Sequence, residues 1–171
     1  MKAFLITALL FASVVRQPLA AQSVSNFSLL IDLAPGGMAT VGLSITGTGP
    51  NAYLLRAVGP SLATLGLTSV VAQPVMSIFN SSGQKLTLLE SIAPPPINWS
   101  PIFNAVGAFP LTDGESSYAL INFAPGNYSV QLTDYSGKGG QLLFETYELS
   151  GPLTVSAMTP AYLPPGTEIF N

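Results

Sequence analysis

The chain has 171 residues, five Lys and Arg, eight Asp and Glu, a formal charge of −3, and neither His nor Cys. Those two absences remove a Ser-His-Asp triad, a Cys nucleophile, disulfides, and every zinc, haem or iron–sulfur site built on Cys or His. Charged residues are only 8% of the sequence, and so few basic side chains argue against nucleic acid as a partner, because phosphate neutralisation needs clustered Lys and Arg.

The N-terminus reads as an address. Lys2 precedes the run Ala3–Val15, which spans thirteen residues and is shorter than the roughly 20 needed to cross a hydrocarbon core. Arg16, Gln17 and Pro18 break the run, and Leu19-Ala20-Ala21 supplies small residues before Gln22. This layout predicts a signal peptide over residues 1–21, cleaved after Ala21, with a membrane anchor or buried helix as the alternative. The expected location is therefore outside the cytosol, periplasmic or extracellular. No second apolar run of spanning length follows, so no transmembrane segment is expected after cleavage. From Gln22 onward three basic residues face eight acidic ones, a net charge of −5. Without disulfides, an exported domain of this size depends on a packed core.

Beyond the leader a period of two dominates, and no long stretch shows a 3.6-residue pattern. Strands are expected at Asn26–Ala34, Ala39–Thr46, Ala52–Val58, Val75–Asn80, Gln84–Leu89, Ser117–Ala124, Asn127–Asp134 and Gln141–Leu149. Pro and Gly punctuate the gaps: Pro35-Gly36-Gly37, Gly47-Thr48-Gly49-Pro50, Gly59-Pro60 and Pro125-Gly126. Ser81-Ser82-Gly83 reads as a hairpin turn, and the three glycines within Tyr135–Gly140 suit another tight turn. Helix is expected only as a turn or two at Ser61–Leu65 and Pro101–Val106. The fold class is thus all-β, an antiparallel β-sandwich of about eight strands over residues 22–150, either jelly-roll or Ig-like. Ile92–Pro101 holds four prolines and reads as a surface loop. Residues 151–171, with Pro152, Pro160, Pro164 and Pro165, read as a proline-rich extended tail.

Leu55-Arg56-Ala57-Val58-Gly59-Pro60-Ser61-Leu62, preceded by Gly47-Thr48-Gly49-Pro50, resembles part of a repeat-type domain of secreted bacterial proteins. It is similar to domains in large exported proteins of Verrucomicrobia-like bacteria. Further matching pieces follow in the same order: Ser77–Gly83, Asn98-Trp99, Val106-Gly107-Ala108-Phe109, Ala124–Val130 and Leu143–Leu149. The resemblance runs from Asn26 to Leu149 and implies an exported β-sandwich module without catalysis. The chain departs from the pattern before Asn98, where Pro94-Pro95-Pro96-Ile97 replaces an acidic stretch, so a Ca²⁺ site is not carried over.

Few residues offer chemistry. Gly59-Pro60-Ser61-Leu62-Ala63 approaches a nucleophile elbow but ends in Ala, and no His is present to activate Ser61. A strand end with Pro60 opening a short helix explains it better. Glu145 and Glu148 are three apart, so a strand sends them to opposite faces, and they cannot share a cleft as a glycosidase pair must. Asp113 and Glu115 lie in a turn with too few oxygens for a metal site of their own. No catalytic residue, metal or cofactor is expected.

Arg56 is the sole Arg after residue 21 and sits within an apolar strand. Burying it demands a carboxylate or several carbonyls. Glu145, also mid-strand among apolar neighbours, is the natural partner, and the pair would fix the register of the third and last strands. Two snorkelling surface charges are the alternative. Trp99, the single Trp, is a candidate binding residue for a sugar ring or a protein partner, or else a cap on one end of the sandwich. The leading functional expectation is a non-enzymatic interaction or structural module, active in adhesion or in envelope or matrix assembly. Its partners would be other envelope or extracellular proteins, or further copies of itself. A carbohydrate-binding module contacting polysaccharide through Trp99 is the alternative, and a small carboxylate hydrolase ranks behind both.

Overall fold

The computed structural model describes residues 26–90, 100–111 and 117–149. Trp99, Asp113, Glu115, the expected signal peptide at 1–21 and the expected tail at 151–171 lie outside the described residues. Eight strands form: β1 (Asn26–Leu33), β2 (Met38–Ile45), β3 (Asn51–Val58), β4 (Pro74–Asn80), β5 (Lys85–Glu90), β6 (Ser117–Phe123), β7 (Gly126–Asp134) and β8 (Gly140–Leu149). A 3-10 turn at Pro60–Leu65 and one α-helix, α1 (Ser100–Val106), are the only helical elements among the described residues. Pro101, where the expected loop at Ile92–Pro101 meets the helical turn expected at Pro101–Val106, sits in the first turn of α1. A missing N–H costs nothing there, since the opening N–H groups of a helix have no internal partner.

Every strand pairing is antiparallel. One sheet has the order β1-β8-β3-β6 and the other β2-β7-β4-β5. The first strand pairs with the last, the second with the seventh, the third with the sixth and the fourth with the fifth. The chain is thus a long antiparallel ribbon wrapped upon itself, and the pairings β3·β8 and β4·β7 close the two sheets. This is the jelly-roll arrangement, which decides between the two sandwich types the sequence leaves open. Among the described strands only β4 and β5 form a local hairpin. The short link at Ala124-Pro125 carries the chain from one sheet to the other.

The alternation seen in the sequence makes the core. On β2, Ala39, Val41 and Leu43 lean inward while Met38, Thr40, Gly42 and Ser44 are exposed. Leu33, Leu55, Ala57, Phe123, Leu142 and Phe144 from the first sheet meet Ile45, Met76, Ile78, Val130 and Leu132 from the second. Burying a large side chain of this kind stabilises by about 1.5–3 kcal/mol relative to exposure, which serves where no disulfide is available. Phe123 adds tilted ring contacts to Tyr128 at 4.4 Å and Tyr53 at 5.7 Å between centroids.

Close approaches need glycine most sharply at Gly59 and Gly139. A Cβ on Gly59 would run into the Val71 carbonyl, and one on Gly139, whose φ is +76°, into that of Leu33. Gly139 belongs to the β7–β8 turn, which is organised by Asp134. Its Oδ1 accepts from the backbone N–H of Gln73 (3.2 Å) and Ser136 (3.1 Å). Its Oδ2 accepts from the Ser136 hydroxyl (2.6 Å) and the N–H of Lys138 and Gly139 (3.0 Å each). Partial burial works to raise the Asp134 pKa, but the hydrogen bonds from Ser136, Gly139 and Gln73 outweigh it and hold the carboxyl below its ordinary value.

A carboxyl with a lowered folded pKa contributes stability above its unfolded pKa of about 3.9 and loses it as pH falls through the folded value. Asp134→Ala should therefore destabilise the domain at pH 7 by about 1.5–3 kcal/mol, the range for hydrogen bonds to a charged group. Urea unfolding of both proteins should show the gap narrowing as pH drops below about 4. A gap independent of pH would contradict this role.

Candidate functional site

β3 and β8 are adjacent in the middle of the first sheet, and Arg56 stands directly opposite Glu145. Strand alternation sends Leu55, Ala57 and Phe144 into the sandwich. Arg56, Glu145, Leu54 and Tyr147 consequently emerge on the outer face. That face has its own apolar cover. Ile102, Phe103 and Val106 of α1, followed by Ala108 and Leu111, pack over Leu54 and Tyr147.

Beneath this cover Arg56 is 0% exposed and Glu145 3%. Arg56 Nε donates to Glu145 Oε2 at 2.9 Å, and Nη2 lies 2.6 Å from the same oxygen as a charge contact without hydrogen-bond alignment. Nη1 donates to the Phe109 carbonyl at 2.7 Å. The Tyr147 hydroxyl donates to Glu145 Oε1 at 2.7 Å. The guanidinium carbon lies 4.7 Å from the Phe103 ring centroid, 4.6 Å from Phe109 and 6.0 Å from Tyr147. Of the two readings of Arg56 and Glu145, surface snorkelling does not describe this geometry.

Dehydrating two opposite charges costs several kcal/mol per ion. The arrangement offsets this with an ion contact, three hydrogen bonds and aromatic faces, each cation–π contact worth up to about 2 kcal/mol once water is excluded. Both carboxylate oxygens are engaged, one by Arg56 and one by Tyr147. What the cluster does chemically is clamp: Nη1 reaches beyond its own sheet to a backbone carbonyl and ties the covering segment to β3.

The other candidates are dispersed. Glu148 lies on the opposite face of β8 from Glu145, accepting from Asn51 Nδ2 at 2.9 Å. It stands beside Tyr53, whose pKa is raised by burial and then by the Glu148 charge. The two glutamates share no cleft. Ser61 is buried in the 3-10 turn that Pro60 opens. Among the described residues no three Asp or Glu side chains converge. The aromatic partners of Arg56 escape sequence reasoning, although Tyr147 carries a signal: two residues after Glu145 on a strand, it must share its face.

Burial, then the hydrogen bond to Glu145 and its charge, push the Tyr147 pKa up to about 12, with Arg56 opposing. A raised folded pKa means the stabilisation is complete below the unfolded value of about 10 and is lost as pH rises toward about 12. Tyr147→Phe should cost about 1.5–3 kcal/mol at pH 7, because it leaves Glu145 Oε1 without its donor. Ultraviolet titration of the folded protein should show one tyrosine ionising near pH 12, absent in Tyr147→Phe. A variant as stable as the parent would contradict the clamp.

No protein-family model and no curated protein matches the chain. Among solved structures it is similar to a protein of Sulfurospirillum deleyianum at 11% identity, covering 75% of this chain and 100% of that one with a TM-score of 0.39. It is also similar to a cycloisomaltooligosaccharide glucanotransferase of Paenibacillus sp. at 16% identity and a TM-score of 0.35, over 70% of this chain and 14% of the enzyme. An exo-β-1,3-galactanase of Phanerochaete chrysosporium shows 10% identity and a TM-score of 0.34, over 73% of this chain and 26% of the enzyme. The chain thus spans a minor part of the length of both enzymes.

Proposed function

We propose that this chain is an exported, non-enzymatic contact module that presents a charge-poor sandwich edge to envelope or extracellular proteins, further copies of itself included. One observation carries the reading. β1 and β2 are both edge strands, one in each sheet. Across their sixteen positions Asp32 is the only charged residue and no proline occurs. Phe27, Leu29, Leu30 and Met38 are all exposed there.

Exposed strand edges carry unpaired N–H and C=O groups, and monomeric proteins guard them with Lys, Pro, bulges or a covering segment. β5, by contrast, bears Lys85 and Glu90 and meets β4 with a register shift. An apolar edge that no described residue guards serves, on an exported protein, as a surface for strand addition. Arg56 and Glu145 are occupied with each other, which supports a role through contact rather than reaction.

Sedimentation velocity of the purified chain over a wide concentration range tests this. The sedimentation coefficient should rise with concentration in the parent and stay at the monomer value in Leu30→Lys, which places a charge on the exposed edge. A parent that remains monomeric at the highest concentrations would overturn self-contact. Retention on polysaccharide that is lost in Trp99→Ala would replace the reading with carbohydrate binding.

A further inference from the structure

Resting on that reading of the edge, we propose that its partner is β1 of a second copy, paired antiparallel about a two-fold axis at Leu29. The two first sheets then join into one continuous sheet of eight strands.

Side-chain direction supplies the first constraint. Residues directly opposite in an antiparallel pair share a face. A two-fold axis therefore passes at a residue, never between two, or each apolar side chain would meet the wrong face. Phe27, Leu29, Ile31 and Leu33 point to the sandwich side of β1, yet Phe27 is 42% exposed and Leu29 39%, whereas Leu33 is 4%. Among the described residues no strand pairs with the free side of β1, where Phe27 and Leu29 stay exposed.

An axis at Leu29 sets exposed Leu29 against its own counterpart and exposed Phe27 against the other copy's half-buried Ile31. On the outer face Leu30, 51% exposed, meets Ser28. An axis at Leu30 would set Phe27 against Leu33, which is already buried and has little area left to give.

Charge placement selects a second copy over an arbitrary strand. Asp32 is the one charge on β1. The Leu29 axis places it opposite the Asn26 amide, a donor for its carboxylate. The two Asp32 carboxylates then lie six residue steps apart, about 20 Å at roughly 3.4 Å per step, well beyond the Debye length of about 8 Å. Two-fold self-pairing is also the commonest symmetry of soluble oligomers.

The absence of cysteine from the sequence makes the register directly readable. In Leu29→Cys the only possible disulfide joins residue 29 to residue 29, and opposite Cα atoms about 4.5–5.5 Å apart lie within bridging range. In Leu30→Cys and Ser28→Cys the like positions lie two steps apart along the strand, about 8 Å between Cα atoms, beyond the roughly 7 Å limit. Mild oxidation of the full chain should form Leu29→Cys dimers at least tenfold faster than either other variant alone. A mixture of Ser28→Cys and Leu30→Cys should form the mixed dimer at the fast rate, a readout that holds even if Leu29→Cys folds poorly. Equal rates at all three positions, or fastest closure by Leu30→Cys or by Ser28→Cys, would overturn the register. If the parent associates in sedimentation while Leu29→Cys and the mixture stay slow, another occupant holds the edge, residues 150–171 among the alternatives. This inference then falls while the contact function stands. A parent that neither associates nor cross-links removes both.

Discussion

A guanidinium removed from water decides much of this molecule. Arg56 cannot lie in the middle of a sheet without a counter-charge, and Glu145, directly across from it on β8, supplies one. A further donor, Nη1, reaches beyond the sheet to the Phe109 carbonyl and ties the segment after α1 over the outer face. Phe103 and Phe109 close over the cation, and Tyr147 completes the carboxylate. A two-layer sandwich thereby acquires a partial third layer on one face. The contact is also specific in register, because a one-residue slip between β3 and β8 would send Arg56 and Glu145 to opposite faces.

The same scarcity of charge shapes the opposite kind of surface. With Arg56 spent inside, Lys85 and Lys138 are the only basic side chains left among the described residues, and neither lies on β1 or β2. Those strands therefore carry no positive charge to repel an approaching strand. Among the described residues the molecule is pinned at β3 and β8, and no basic residue or proline guards β1 or β2. A contact module needs that pairing of a rigid centre with an available edge, since a mobile scaffold would lose binding energy to ordering.

Strand positions were legible because alternation and Gly/Pro breaks are local signals, and each observed strand end falls within a residue or so of the expected one. Sheet membership was not legible. Ala124-Pro125 between β6 and β7 looks as short as a hairpin loop, yet the two strands belong to different sheets. The choice of jelly-roll over Ig-like sandwich rests on pairings such as β1 with β8, more than a hundred residues apart in sequence. Arg56 pointed to Glu145 because a lone cation among apolar neighbours has few partners to choose from. Phe103 and Phe109 gave no such signal, as their approach depends on where α1 settles. At the β7–β8 turn the glycines announce the bend, and the signal for its organiser is Asp134 just before them, a residue type that bonds backbone N–H groups two residues on.

A double-mutant cycle on Arg56 and Glu145, read by urea unfolding, bears most directly on the buried pair. Arg56→Met and Glu145→Leu should each cost about 3–5 kcal/mol, since each strands a charge or its partners in the interior. The combined variant should be more stable than either single one, because no unpaired charge remains, which makes the coupling larger than either single loss, above about 3 kcal/mol. Losses that simply add, with a coupling near zero, would show that the two side chains do not depend on one another and would contradict the account.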